Sequence, residues 1–465
     1  MFAKDGPLIY IQNVYFQAKR FENIFLSRFN FLELILELQL EAEMSQEEKE
    51  RDITGLRWLV LVFMGLVIFG AYYAYDAVSP IADFIMRDMN LSRAQYGLLF
   101  SFYYLPNFIM VLVGGILLDR IGIRRAGGLF VSLCSLGVFM TAFFSGVNFP
   151  LMLIGRLIYG LGSESLIITQ NKILAKWFRG KELALAFGLN LMVARLGTFA
   201  ALNSAARIQA LSGSWKLAIW VSAIIMFLSL ALFFIYSGLD RSHEKYFPEV
   251  ATSFAEEKIV FREIFAFRPS FWYVSLLCMT FYSAIFPFTA FSTVFLQSKF
   301  GFSAIKGGFY TSLVITGTMF FTPLFGYLVD RIGRRATLML LGSGLLIPVH
   351  LSLALTYFPP SVAMIVLGLA FSLVPAAMWP AIPIMVEEKR LGTAYGLMTL
   401  IQNVGLTLFN WLAGKITDLS GGDYRNTILM FAGLGLAGFL FALLLKRAAL
   451  KEGNRIELPS SLAQA

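Results

Sequence analysis

Cysteine and histidine are almost missing: 465 residues contain two of each, Cys134, Cys278, His243 and His350. Both cysteines sit inside apolar runs, which excludes a disulfide framework, and two isolated histidines leave zinc chemistry without a ligand set. Charge is scarce as well. With 14% charged residues, 58% hydrophobic residues and a mean hydropathy of +0.71, the composition excludes an ordinary soluble chain and points to the bilayer as solvent. No Gly-rich phosphate loop opens a cytoplasmic domain, so nucleotide hydrolysis is not expected as an energy source. The run Gly162-Ser163-Glu164-Ser165 lacks the Gly-x-Ser-x-Gly pattern and any well-placed histidine base, so no enzyme, no catalytic residue, no metal and no cofactor is expected.

What the chain does have is long apolar runs. A crossing helix needs about 20 apolar residues, because lipid offers no partner for unpaired backbone groups. Runs of that kind cover 56–84, 95–118, 126–146, 150–177, 183–208 and 215–239, then 271–297, 305–329, 336–357, 361–386, 391–416 and 427–445. The long charged joint between the sixth and seventh separates six helices from six. The expected fold is therefore an all-α membrane protein, with twelve transmembrane helices in two pseudo-symmetric six-helix bundles. The expected boundaries are an extension over 1–55, bundles over 56–239 and 271–445, a linker over 240–270 and a tail over 446–465.

Lysine and arginine set the orientation, since cytoplasmic loops retain positive charge. Alternate loops carry Arg120, Arg124 and Arg125; Lys176, Arg179 and Lys181; the linker cations; Arg331, Arg334 and Arg335; and Lys389 with Arg390. Both termini are thus expected in the cytoplasm. The net charge of +9 follows from this topology, and no nucleic-acid partner is expected. Residues 24–40 read as an interfacial amphipathic segment, with Met44 an equally good start. The amino-terminal tail shows no acidic-dileucine sorting signal, and a bacterial cytoplasmic (inner) membrane is expected, with the chain a monomer.

One motif occurs twice. Gly115-Ile-Leu-Leu-Asp119-Arg120-Ile-Gly122-Ile-Arg124-Arg125 follows the second run, and Gly326-Tyr-Leu-Val-Asp330-Arg331-Ile-Gly333-Arg334-Arg335 follows the eighth. Repetition half a chain apart indicates duplicated halves, and the placement resembles the loop signature of the major facilitator superfamily. Glycine permits a tight turn, while Asp119, Arg120, Asp330 and Arg331 can pair across the seam between helix ends as a gate. The bland alternative is that these charges only fix topology.

Charges inside the runs point to the cargo. An ionised group at the centre of a crossing helix costs about 2.5 to 3.5 kcal/mol, so its presence asks for a function. Glu164 lies near the middle of the fourth run and Arg195 near the middle of the fifth. They either neutralise each other or hold the two ends of a zwitterion, Arg195 taking a carboxylate and Glu164 an ammonium. Arg156, two turns before Glu164, matches the fourth-helix arginine that the superfamily often carries and that proton-coupled members use; equally, it could form a static bridge to Asp76. Tyr72, Tyr75, Gln170, Asn171, Asn190, Tyr282, Trp379, Gln402 and Asn403 are weaker candidates, more often helix-to-helix glue than cargo contacts. Trp379 stands out beside Pro380, where a broken backbone could line a cavity.

Two stretches carry a closer likeness. The first holds Gly160-Leu-Gly-Ser-Glu164, Gln170-Asn171-Lys172, Trp177-Phe178-Arg179-Gly180-Lys181-Glu182-Leu183, Phe187-Gly188-Leu189 and Ala194-Arg195. The second holds Leu391-Gly-Thr-Ala-Tyr-Gly-Leu397 and Ile401-Gln402-Asn403. Both resemble the family of the lysosomal dipeptide transporter of animals. The resemblance implies movement of dipeptides, passive or coupled, with Glu164 and Arg195 holding the peptide termini. A proton-coupled carrier of a small organic anion, bound by Arg195 and Arg156 with Glu164 carrying the proton, remains the alternative, and a non-transporting receptor on the same fold is disfavoured by the intact loops. The absence of a Gly-Pro pair from the fifth run weakens drug efflux.

Overall fold

The computed structural model describes residues 46–178, 182–243 and 267–459. The stretch before Met44 and most of the linker lie outside the described residues. Two compact units are present, residues 1–58 and 59–465, and both six-helix halves belong to the second apart from the first turns of α1.

The first half is built from α1 (Gln46–Asp76), the short α2 (Ala82–Asp88), α3 (Arg93–Tyr104), α4 (Asn107–Phe143), α5 (Phe149–Trp177), α6 (Leu183–Ser212) and α7 (Trp215–Ser242). The second contains α8 (Pro269–Phe300), α9 (Ala304–Ile332), α10 (Arg335–Leu355), α11 (Pro360–Met378), the short α12 (Ile382–Met385), α13 (Leu391–Leu419) and α14 (Arg425–Lys451). Among the described residues ten helices are long and apolar enough to cross a membrane. The other two of the expected twelve are α13, which carries Lys415 and Asp418, and the leg formed by α3 with the start of α4, broken at Leu105-Pro106 where proline supplies no N–H.

α4 has 37 residues, about 55 Å if straight and far more than a bilayer needs. Gly122, at φ +81° and ψ 161°, folds it into two crossing legs. Gly333 stands at φ +67° in the second copy of the motif, so each copy uses its glycine for a turn that a side chain would resist. The end carrying these turns is the basic end; the other is the far end.

Within the first half α4 packs along α5, and small residues set how close the two come. A methyl group added at Gly155 would run into the backbone N–H and hydroxyl of Thr141, and Gly137 faces the backbone of Tyr159. Gly155→Val is expected to destabilise the protein by about 2 kcal/mol or more, read as a lower midpoint of thermal unfolding in detergent.

Charges at the basic end are organised inside each half. In the first, the buried Asp240 at the end of α7 accepts from Lys176 Nζ (2.7 Å), Trp177 Nε1 (3.0 Å) and Tyr236 Oη (3.3 Å), with Arg124 Nη1 at 3.6 Å. It ties the first repeated loop to α5 and α7. Asp240→Asn keeps acceptor oxygen but loses charge between two cations, and is expected to cost about 1–3 kcal/mol in thermal unfolding. In the second half the segment after Lys451 folds back as a strap. The Glu452 carboxylate accepts from the Ser270 N–H (3.1 Å) and hydroxyl (2.6 Å) at the start of α8. Glu457 does the same for Thr337 (3.1 and 2.8 Å) at the start of α10, while Arg335 Nη1 donates to the Leu458 carbonyl (2.9 Å). Carboxylates at helix N-termini satisfy donors the helix itself cannot. Truncation after Lys451 is therefore expected to lower the unfolding midpoint by several degrees.

The halves meet along two seams, α3 with α13 and α6 with α9.

Candidate substrate site

Between the halves lies a cavity of about 490 Å³, within the range that encloses small ligands. The first half lines it from α1, α3, α5 and α6, and the second from α8, α9, α11 and α13. Three charged side chains face it: Asp76 at the end of α1, Glu164 in mid-α5 and Arg195 in mid-α6. All three belong to the first half. Glu164 and Arg195 are each half-buried and form no ion pair with one another. The Arg195 guanidinium instead lies over the rings of Tyr72 (5.9 Å) and Phe371 (5.1 Å), so it reaches from its own half to α11 of the other.

The second half presents a neutral, aromatic wall. Trp379 begins a 3₁₀ turn, Trp379–Ala381, that separates α11 from α12, as the adjacent Pro380 leads one to expect. Its indole Nε1 donates to Tyr282 Oη (3.1 Å), and its carbonyl accepts from Tyr395 Oη (3.3 Å) as well as from the Ile382 N–H that closes the 3₁₀ turn. Gln402 also lines the cavity and accepts weakly from Cys278 Sγ (3.4 Å).

The remaining sequence candidates divide between the cavity and the packing around it. Tyr75 lines the cavity, its hydroxyl accepting from Tyr104 Oη (2.7 Å). Asn403 is buried, donates to the Thr399 carbonyl (2.9 Å) and accepts from Asn107 Nδ2 of the other half (3.4 Å), so it joins the halves behind the site. Asn190 is buried in α6 and is not among the lining residues. Arg156 is 1% exposed and does not reach the cavity. It donates to the carbonyls of Leu99 (Nε, 2.8 Å), Ala74 (Nη1, 3.3 Å) and Tyr75 (Nη2, 3.4 Å), and the rings of Tyr75, Phe100, Tyr103 and Tyr159 surround it. Its donors go to backbone and not to Asp76.

Asp119 pairs with Lys172 of α5, Arg120 is exposed, and Arg331 donates to Tyr327 Oη one turn back (3.3 Å). Neither of these bonds crosses to the other half. Asp330 is exposed at the matching turn. A methyl group added at Gly115, Gly122 or Gly326 would meet nothing within 4 Å, whereas Gly97, Gly308 and Gly414, toward the far end, sit directly against backbone of the other half. Sequence reasoning missed Tyr103, Thr198, Phe286 and Phe371 as lining residues. An aromatic residue in an apolar run carries no mark of which face it occupies.

Comparison with known proteins agrees with this architecture. The family model described as Major Facilitator Superfamily matches residues 64–347 and 288–463. The chain is 36% identical over 376 residues to the lysosomal dipeptide transporter MFSD1 of Danio rerio, and 35% identical over 376 residues to that of Homo sapiens. Each alignment covers 78% of this chain and 81% of the relative. A solved bacterial homologue of the human lysosomal transporter Spinster superposes with a TM-score of 0.69 at 18% identity, covering 85% of this chain and 98% of that one, a likeness of fold.

Proposed function

The chain belongs to the Major Facilitator Superfamily and is a multi-pass membrane transporter, not an enzyme, and from that premise we propose that it carries dipeptides by alternating access. The reading rests on Glu164 and Arg195: opposite charges on separate helices, open to one cavity and unpaired with each other. A guanidinium presents a planar fork that suits a carboxylate, and a carboxylate accepts from an ammonium. A zwitterionic peptide would thus take the place of the missing pair, while its side chains meet the neutral wall of Tyr282, Phe286, Phe371 and Trp379. The dipeptide transporters named among the relatives support this choice of cargo.

With the basic loops in the cytoplasm, the far end faces the outside or an organelle lumen, and the arrangement is inward-facing. In the opposite state the two repeated loops would approach, and Asp119, Arg120, Asp330 and Arg331 would act as the latch there. A lysosomal and a bacterial cytoplasmic membrane impose the same topology, since both keep basic loops in the cytoplasm.

Asp76 favours a second reading, the proton-coupled anion carrier. Two carboxylates and one guanidinium face the cavity, so a bare anion would bind only once a carboxyl is protonated. A dipeptide needs no such step.

The test is the unfolding midpoint of purified protein against dipeptides, free amino acids and monovalent organic acids, followed by flux in proteoliposomes. Dipeptides are expected to raise the midpoint, because a ligand of the folded state stabilises by mass action, and to exchange across the bilayer. Stabilisation by organic acids alone, with uptake driven by a pH gradient and no competition from dipeptides, would replace this reading with the second.

A further inference from the structure

We propose that Asp418 is the latch of the far end: its carboxylate clasps the N-terminus of α3 in the opposite half and sets how often that end opens. The inference rests on the alternating-access reading above, but not on the identity of the cargo.

A helix leaves its first four N–H groups without intrahelical partners. At the start of α3, Ser92 and Gln95 form a capping box: Ser92 Oγ accepts from the Gln95 N–H (3.1 Å) and Gln95 Oε1 from the Ser92 N–H (2.9 Å). The box leaves the N–H groups of Arg93 and Ala94. Asp418, near the end of α13, takes both, Oδ1 from Arg93 at 3.0 Å and Oδ2 from Ala94 at 2.8 Å, with the Arg93 guanidinium at 3.7 Å. A negative charge on the positive end of a helix is favourable, and charge-assisted bonds are about twice as strong as neutral ones. The side chains of Arg93 and Asp418 keep 36% and 23% of their exposure, so water can receive both partners when they part. That makes the contact strong enough to bias an equilibrium and weak enough to break in each cycle.

The other seam shows that packing alone does not demand the carboxylate. There Ser303 caps α9, and Gly308 lies against the Leu202 carbonyl of α6, as Gly97 of α3 lies against the Asn410 carbonyl of α13. Asp418 stands eight residues beyond Asn410; the residue eight beyond Leu202 is Ala210. The seam between α6 and α9 therefore forms without an acid at the matching place.

Spin labels at Leu211 and Tyr357, exposed far-end positions in different halves, would report opening in nanodiscs without cargo. Asp418→Ala is expected to raise the ratio of far-end-open to far-end-closed protein by about tenfold. Asp418→Asn should shift it less, since an amide oxygen still accepts one N–H. Gly414→Ala, whose methyl group would meet the Arg93 carbonyl, should open the same seam by wedging it. Asp423→Asn, whose carboxylate accepts from the Arg425 N–H within its own half, should leave the ratio unchanged. An unaltered distance distribution in folded, monodisperse Asp418→Ala would overturn the proposal, as would equal opening by Asp423→Asn. If Asp418→Ala does not fold, Gly414→Ala decides: no shift overturns the latch. Because no cargo is present, failure of the dipeptide reading would show only in the binding and flux experiments.

Discussion

Arg195→Ala and Glu164→Gln should each weaken dipeptide binding about thirtyfold or more, the effect of leaving one charged terminus without its partner in a partly desolvated site. The loss should follow the chemistry of the two ends. An N-acetylated dipeptide has no ammonium, so Glu164→Gln should leave its weak binding unchanged while Arg195→Ala still reduces it. Amidation of the C-terminus should reverse the pattern. Calorimetric titration of the four proteins, wild type, both singles and the double, against the three peptide forms gives a cycle in which two independent contacts add. A pair that served only to neutralise itself behaves differently: each single substitution would strand a buried charge, and the double would recover stability. Additive losses in affinity with little change in unfolding midpoint identify cargo contacts; recovery in the double with unchanged affinity would end the zwitterion reading.

The fold was largely legible because membrane crossing forces an apolar run of fixed length, and the duplicated turn with Gly122 and Gly333 marks the two halves in so many residues. Glu164 and Arg195 were legible for a related reason: each breaks the local rule that a crossing helix excludes charge, and both face the cavity. The same signal gives Arg156, yet its partners are backbone carbonyls of α1 and α3, which every residue type carries alike. Gln402 and Asn403 are neighbours about 100° apart on one helix, so facing the cavity with one turns the other toward Asn107.

The contacts that escaped sequence reading are those where an ordinary residue meets backbone. Asp418 sits at a helix end, where an acid is unremarkable, and its partners are two N–H groups more than 300 positions away. Glu452 and Glu457 likewise fall in the segment expected only as a tail over 446–465, although they cap α8 and α10. Helix N-termini attract acids by the same physics everywhere, but which acid reaches which terminus is decided by tertiary packing. The expected cross-seam pairing of Asp119 shows the converse: its charge was legible, while its partner, Lys172 of its own half, was not.

Replacement of Arg156 should have the largest effect on stability, and little on binding by the protein that still folds. The guanidinium fills a space enclosed by four aromatic rings and serves three carbonyls on two other helices. Arg156→Met matches much of the volume but leaves those carbonyls without their donor, each a loss of about 1 kcal/mol or more, and the total is expected near 3–5 kcal/mol. Arg156→Lys should rescue only part of it, because one ammonium on a flexible stem cannot reproduce a planar fork that reaches α1 and α3 together. Thermal unfolding in detergent should therefore rank wild type above Arg156→Lys above Arg156→Met, with dipeptide Kd nearly constant across the folded fractions. A coupling role predicts the opposite separation: Arg156→Lys would unfold like wild type yet lose the dependence of uptake on a pH gradient. The position of Arg156 behind the tyrosine layer, with its donors committed to backbone, favours the first outcome, since a group that exchanges protons or cargo must be able to change partners during the cycle.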